Sequence, residues 1–309
     1  MSEFPNEYES LREYVERGIK ASLQKIKNDF ENSADPTFHL DYHNVLHTQG
    51  VLDRTTKILS ILQKKIPGSI SDHDIQVGRI AAAFHDVIQE WEPAISGESG
   101  TANYRKIRKR HVGRNEELSA NQAAEFMTLA NQQAGRQVFS QKDMEAQKEA
   151  ILATVPYFDP KLNTVVQPNL TPQSSLIARS VALADLGFVG MCSAEEFLKG
   201  EDALFREDNL DIKEALDYFG DPPKILSEET KIFFRQRMLA WTNGRHAFAN
   251  GRKILTLEAI SFFPPQAQSD LNKLFYSFEE ILIASQNASK IRNKMDFETL
   301  ARDFGYFIK

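Results

Sequence analysis

Apolar residues recur at helical spacing along almost the whole chain, and hardly any stretch alternates apolar with polar as a half-buried strand does. This periodicity predicts an all-α fold. A first long helix is expected from His43 to Lys65, where Val45, Leu52, Ile58, Leu59 and Leu62 share a face and Pro67 and Gly68 end the run. A second runs from Ser71 through "DIQVGRIAAAFHDVIQE" to Glu90. A third starts at Asn115, "NEELSANQAAEFMTLANQQ", with an acidic first turn that suits the positive end of the helix dipole. A fourth covers Gln141 to Val155 and stops at Pro156, and a fifth begins with Thr171 as N-cap and Pro172 at its first position. Later helices are expected at 227–248, 265–285 and 296–304, with "FGDPPK" and "FFPP" as breaks. The stretch "WEPAISGESGTANYRKIRKRHVGRN" reads as irregular, too rich in glycine and charge for a core element.

With 309 residues and 41% hydrophobic content the chain can bury a substantial core, and no repeat or low-complexity linker divides it. One domain over 1–309 is expected. Its single cysteine, Cys192, cannot form an intrachain disulfide and suits a reducing compartment. The start "MSEFPNEYES" is acidic and polar where a secretory signal would be basic and then apolar, so a cytoplasmic location is expected. No apolar run approaches the roughly 20 residues that span a bilayer, so no membrane partner is expected. A net charge of -6 argues against nucleic acid as a partner and requires any anion site to be local. Oligomeric state is left open.

Three places interrupt the apolar pattern with groups that should not be buried alone. "LDYHNVLHTQG" sets His43 and His47 four apart at a helix start, on one face and about 6 Å apart along the axis. "AAAFHDVIQ" puts His85 and Asp86 inside a small, apolar run, where burial of an unpaired carboxylate costs several kcal/mol. Asp185 shares a stripe with Ile177, Val181 and Phe188 and so faces inward. Taken singly, each has an ordinary reading as a hydrogen-bonded core histidine, a cap or an ion-pair member. Together, two neutral imidazoles and two carboxylates make a mixed nitrogen and oxygen set for one divalent metal ion, which would neutralise both acids.

These residues resemble the pattern of the HD-domain superfamily of metal-dependent phosphohydrolases: a histidine, an adjacent His-Asp pair and a distant aspartate on separate helices. The resemblance implies an HD-domain helical bundle with its metal-site core over about 40–190 and a helical elaboration over 191–309. It implies His47, His85, Asp86 and Asp185 as ligands of one ion, with Mn, Mg, Fe, Co, Ni and Zn all open. "YHNVLH" at 42–47, "FHDVIQE" at 84–90, "NEELSANQAA" at 115–124, "ILAT" at 151–154 and "LADLG" at 183–187 are similar to a bacterial branch of predicted HD phosphohydrolases. "FANGRKIL" at 248–255 matches a late Gly-Arg pair of that branch, while the tail from Phe262 has no counterpart in it. "YHNVLH" also resembles the opening motif of cyclic-nucleotide phosphodiesterases, which implies His47 as ligand and His43 as general acid. Those enzymes carry a further histidine three residues after the His-Asp pair. Gln89 stands there here, against a second metal and against cyclic-nucleotide specificity.

The chemistry expected is hydrolysis of a phosphate ester or diester, of a nucleotide or a related small phosphorylated substrate. Asp86 would also orient the attacking water. Glu116 or Glu117 would serve as a second acid or base, or equally as a capping acid of its helix. "YRKIRKRHVGR" supplies six basic residues from Arg105 to Arg114 with no acid among them. It reads either as a solvated loop or as a loop over the metal whose Arg108, Lys109, Arg110 and Arg114 meet phosphate, with Arg252 and Arg245 as weaker candidates and His111 open. Phe126, Tyr157, Phe158 and Phe188 are candidates for a base-sized pocket or for plain core. The alternative class is a non-catalytic regulatory HD module that binds metal or nucleotide.

Overall fold

The computed structural model describes residues 7–216 and 226–306; the "FGDPPK" break lies outside them. In chain order the helices begin with α1 (Glu7–Ile26), whose axis continues through a π-helical turn at Lys27–Glu31, then α2 (Val45–Lys65) and α3 (Asp72–Phe84). A hairpin of β1 (Trp91–Ser96) and β2 (Arg105–Arg110) precedes α4 (Arg114–Ala134) and α5 (Gln141–Leu152). A short hairpin, β3 (Tyr157–Asp159) with β4 (Thr164–Val166), leads to α6 (Leu176–Asp185), the single turn α7 (Phe188–Met191), α8 (Ala194–Asp208) and α9 (Leu210–Ala215). The chain ends in α10 (Glu228–Ser261), α11 (Pro265–Leu274), α12 (Phe278–Arg292) and α13 (Phe297–Asp303). The molecule is mainly helical, as its periodicity predicts. No helix among the described residues is long and apolar enough to cross a membrane.

Helix α3 is the hub, packed against α1, α2, α4, α5 and α6. Its fully buried Val77, Ile80, Ala81, Ala82 and Ala83 explain why: small side chains let several neighbours approach one axis. Gly78 belongs to the same logic, because a Cβ there would stand 2.5 Å from Leu59 Cδ1. The main core also takes in Val15 and Ile26 of α1 and Ala249, Ile260, Leu271 and Ile281 from α10 to α12. A second, smaller core joins Phe205, Ile212, Phe234, Met238, Leu300 and Phe304.

Local chemistry shifts several boundaries. Helix α2 starts at Val45, not His43, because the Asn44 side chain accepts from His47 N at 3.1 Å and acts as N-cap. Helix α3 stops at Phe84 rather than Glu90: the next amides turn to α4, with Ile88 N donating to Ser119 Oγ and Glu90 N to Asn115 Oδ1. The N-cap of α6 is Ser175, not Thr171, since Thr171 and Ser174 close a turn of their own. Helix α10 runs on to Ser261, and the expected 265–285 helix breaks between α11 and α12, where Ser277 N and Oγ both donate to Gly190 O.

The expectation of an irregular 91–115 is also corrected. Trp91 pairs with Arg110 and Ser96 with Arg105 in a regular antiparallel ladder. The strand escapes a hydrophobic pattern because arginine does the packing: Arg108 is buried and lies over the Trp91 ring at 4.3 Å.

The Gly251-Arg252 pair docks the second hairpin on α10. A Cβ at Gly251 would meet Thr164 Cβ and Cγ2 at 2.8 Å and Leu162 O at 3.0 Å, while Arg252 Nη1 donates to Val165 O at 2.6 Å. Gly251→Ala should therefore destabilise the fold by about 1–3 kcal/mol, as overpacking does. Urea denaturation followed by circular dichroism checks this, with a lower midpoint at unchanged slope.

Candidate metal centre

Three helix termini converge. His47 comes from the first turn of α2, His85 caps the C-terminus of α3 with Asp86 just beyond, and Asp185 is the last residue of α6. His47, His85 and Asp185 each offer a donor atom, all within 4.8 Å of one another. The two Nε2 atoms are 3.3 Å apart. Asp86 Oδ2 lies 3.2 Å from His47 Nε2 and 3.1 Å from His85 Nε2, and Asp185 Oδ1 lies 3.5 and 3.6 Å from the same atoms. Donors around an ion with bonds of about 2.1 Å stand roughly 3.0–3.4 Å apart, a range that holds for His47, His85 and Asp86 Oδ2 while Asp185 Oδ1 lies just beyond it.

The surroundings orient two of the donors. His85 Nδ1 donates to Ala82 O at 2.8 Å, which turns its Nε2 to the centre. Gln89 Nε2 holds Asp86 Oδ1 at 2.9 Å, so Oδ2 is the atom turned to the imidazoles. Electrostatics agree. Burial opposes ionisation of Asp86, Asp185 and His85 alike, yet their mutual charges win and hold both carboxyls well below the usual range and His85 well above its own. Two carboxylates and two facing imidazole nitrogens require a positive charge among them, which protons or a divalent cation can supply.

His43 stands next to this centre, its ring 5.5 Å from that of His47, but it belongs to a different network. Its Nδ1 donates to Glu207 Oε1 at 2.6 Å, and Glu207 Oε2 accepts the Tyr42 and His43 amides at 2.9 and 3.0 Å. Glu207 is fully buried, and despite that burial the His43 and Arg110 charges keep its carboxyl well below the usual range. Arg110 Nη1 lies 2.6 Å from His43 Nε2. His43 is thus held by a carboxylate behind it and capped by a guanidinium in front.

Of the other residues singled out in the sequence, some reach the site and some do not. Asp86, Glu116, Arg108, Arg110, Phe158, Phe188 and Arg245 line one cavity of about 590 Å³ with His43, His47 and Asp185. Glu116 is buried there, accepts from Gly113 N at 2.5 Å, and has its carboxyl raised mainly by burial. Arg108 is fixed in the wall by Glu207 O and Thr37 O, with Nη1 left unpartnered among the described residues. Glu117 is exposed and outside the cavity, where it serves the helix dipole. Alternation along β2 turns Lys109 away to pair with Glu92, and Arg114 pairs with Glu90 in solvent. Arg252 is buried behind Asp185 on the β4 backbone rather than in the cavity, and burial lowers its guanidinium to about 10 against the pull of Asp185. His111 sits 3.7 Å from Glu90, Phe126 packs on Phe84, and Tyr157 is exposed.

Glu207, which holds His43, and the contact of Gln89 with Asp86 are features of the site that the sequence reading missed. Glu207 could have been found by the argument applied to Asp185, since it shares an α8 stripe with the buried Ala203. No protein-family model, curated protein or solved structure matches the chain.

Removing one donor should empty the centre of metal. Asp185→Asn keeps the shape and loses the charge, so metal analysis after loading with Mn²⁺ should show loss of the ion with helical content intact. His43→Ala should keep its metal; equal loss in both variants would make His43 a ligand.

Proposed function

We propose that the protein is a metal-dependent phosphohydrolase acting on a small phosphate ester or diester, of nucleotide type, with an HD-type arrangement of ligands. The observation that carries this reading is the opening of His47, Asp86 and Asp185, with His85 buried directly behind them, into the same cavity as His43 and Arg110. A divalent ion held by those four would acidify water and polarise a phosphoryl oxygen. Asp86, one oxygen fixed by Gln89, would orient the attacking water. Glu207 would hold His43 so that Nε2 points to the leaving oxygen and donates its proton, with the buried carboxylate stabilising the charged imidazole. Arg110, released from His43, would turn its guanidinium to the phosphoryl oxygens. Glu116 would exchange a proton with water beside Asp86.

One observation favours a second reading, a non-catalytic module that binds metal or nucleotide. Arg110 occupies His43 Nε2, and a guanidinium there prevents that nitrogen from carrying a proton to substrate.

Turnover separates the two. Under the first reading, bis(p-nitrophenyl) phosphate or p-nitrophenyl phosphate should be hydrolysed with one of Mn, Mg, Co, Ni or Zn, and a chelator should abolish the activity. No turnover with any metal, in protein shown to bind metal, would favour the module. His43→Ala should lower kcat by about 10² to 10⁴ on substrates with poor leaving groups and by less on p-nitrophenyl esters.

The two faces of β2 should also differ. Arg110→Ala should raise KM for phosphorylated substrates, and the difference should persist in high salt because a partly desolvated contact is screened little. Lys109→Ala should leave KM unchanged beyond a weak, salt-sensitive effect.

A further inference from the structure

The cavity does not end at the metal centre. At about 590 Å³ it has the size of a pocket for a whole small ligand, far more than a phosphoryl group fills. Beyond Tyr42 its wall passes to α7, α8 and α10, where Phe188, Phe205, Trp241 and Phe248 face it. Trp241 is held rigidly: its indole Nε1 donates to Glu201 O at 3.0 Å and its ring lies 5.8 Å from Phe205.

Two acids of α8, Glu201 and Asp208, interrupt this wall, and Glu201 is the one beside Trp241. Glu201 lines the cavity and is only 7% exposed, yet among the described residues no hydrogen bond or ion pair reaches its carboxyl group. The nearby guanidiniums are turned to other acids, although Arg245 Nε and Nη1 have no partner among the described residues. Arg245 and Arg292 both pair with the adjacent Asp202, and Arg237 pairs with Asp211. Burial pushes the Glu201 carboxyl up to about 7, with Arg245 pulling it down and Asp202 adding to the rise. A buried polar group without a partner is costly, and natural folds keep one mainly where a ligand completes it.

We propose that this end of the cavity is a nucleobase subsite, in which the aromatic wall stacks a flat nitrogen heterocycle and Glu201 accepts a hydrogen bond from its ring N–H or amino group. Glu201 is then the residue that selects for the base, and the phosphate it carries lies toward Arg110 and the metal ligands. For its phosphate half the inference rests on the phosphohydrolase reading; base recognition can be measured without turnover.

The test is isothermal titration of the full chain, loaded with Mn²⁺, with adenosine, guanosine, cytidine and uridine 5′-monophosphates and with ribose 5-phosphate. At least one nucleotide should bind about ten-fold or more tightly than ribose 5-phosphate, the worth of roughly one buried hydrogen bond plus stacking. This comparison needs no variant, and equal affinities would overturn the proposal. Glu201→Ala should shrink that ratio about ten-fold, and Glu201→Gln, which keeps an acceptor oxygen, should restore part of it. A ratio unchanged in a folded Glu201→Ala protein would assign the acid a structural role and sink the proposal. Base-dependent binding without hydrolysis of any ester would retain the subsite and overturn only the phosphohydrolase reading; hydrolysis without base preference would do the reverse.

Discussion

Two half-buried carboxylates beside two histidines set the terms for the centre of this molecule. Asp86 and Asp185 sit where α3 and α6 end, among apolar side chains that cannot solvate them. Only positive charge makes that burial tolerable, and the nearest sources are His47 and His85. The small residues of α3 belong to the same constraint, because Ala81 to Ala83 let α2, α5 and α6 close in until their ends meet. A stack of three fully buried alanines is thus the packing counterpart of the polar cluster at its end.

Helix α8 carries the second tier of charge. Glu207 reaches back to His43 near the start of the chain, and Asp202 reaches forward to Arg245 of α10 and Arg292 of α12. Asp202 is thereby paired, as is Glu207, while Glu201, which precedes Asp202 and lines the cavity, is not. The contrast has a simple origin: two arginines converge on one acid, and the neighbouring acid faces space. Such pairs add little net stability when buried, but breaking one is costly, so the network fixes how α8, α10 and α12 sit against the cavity.

The basic segment shows how charge and packing can trade places. Six basic residues in a short run look like a solvated face, yet strand geometry divides them. Arg108 and Arg110 turn inward, the first against Trp91 and the second against His43, while Lys109 turns outward. Arginine can do this because its stem and planar head pack as well as they pair, which a hydrophobic-period reading does not register.

The helical class, most element positions and the inward sense of His85, Asp86 and Asp185 were legible in the sequence, because an apolar stripe with a 3.6-residue period states which side chains face a core. The quartet itself was legible only as a need for partners. That Ser119 and Asn115 would end α3 before Asp86, and that Asn44 would place His43 outside its helix, depended on side chains competing for backbone amides. Glu207 meeting His43 across 164 residues, Arg252 turning to a strand carbonyl instead of the cavity, and Glu201 being left without a partner were decided by tertiary packing alone. Periodicity fixes which way a side chain points from its own helix, whereas what waits there depends on how the other helices fold around it.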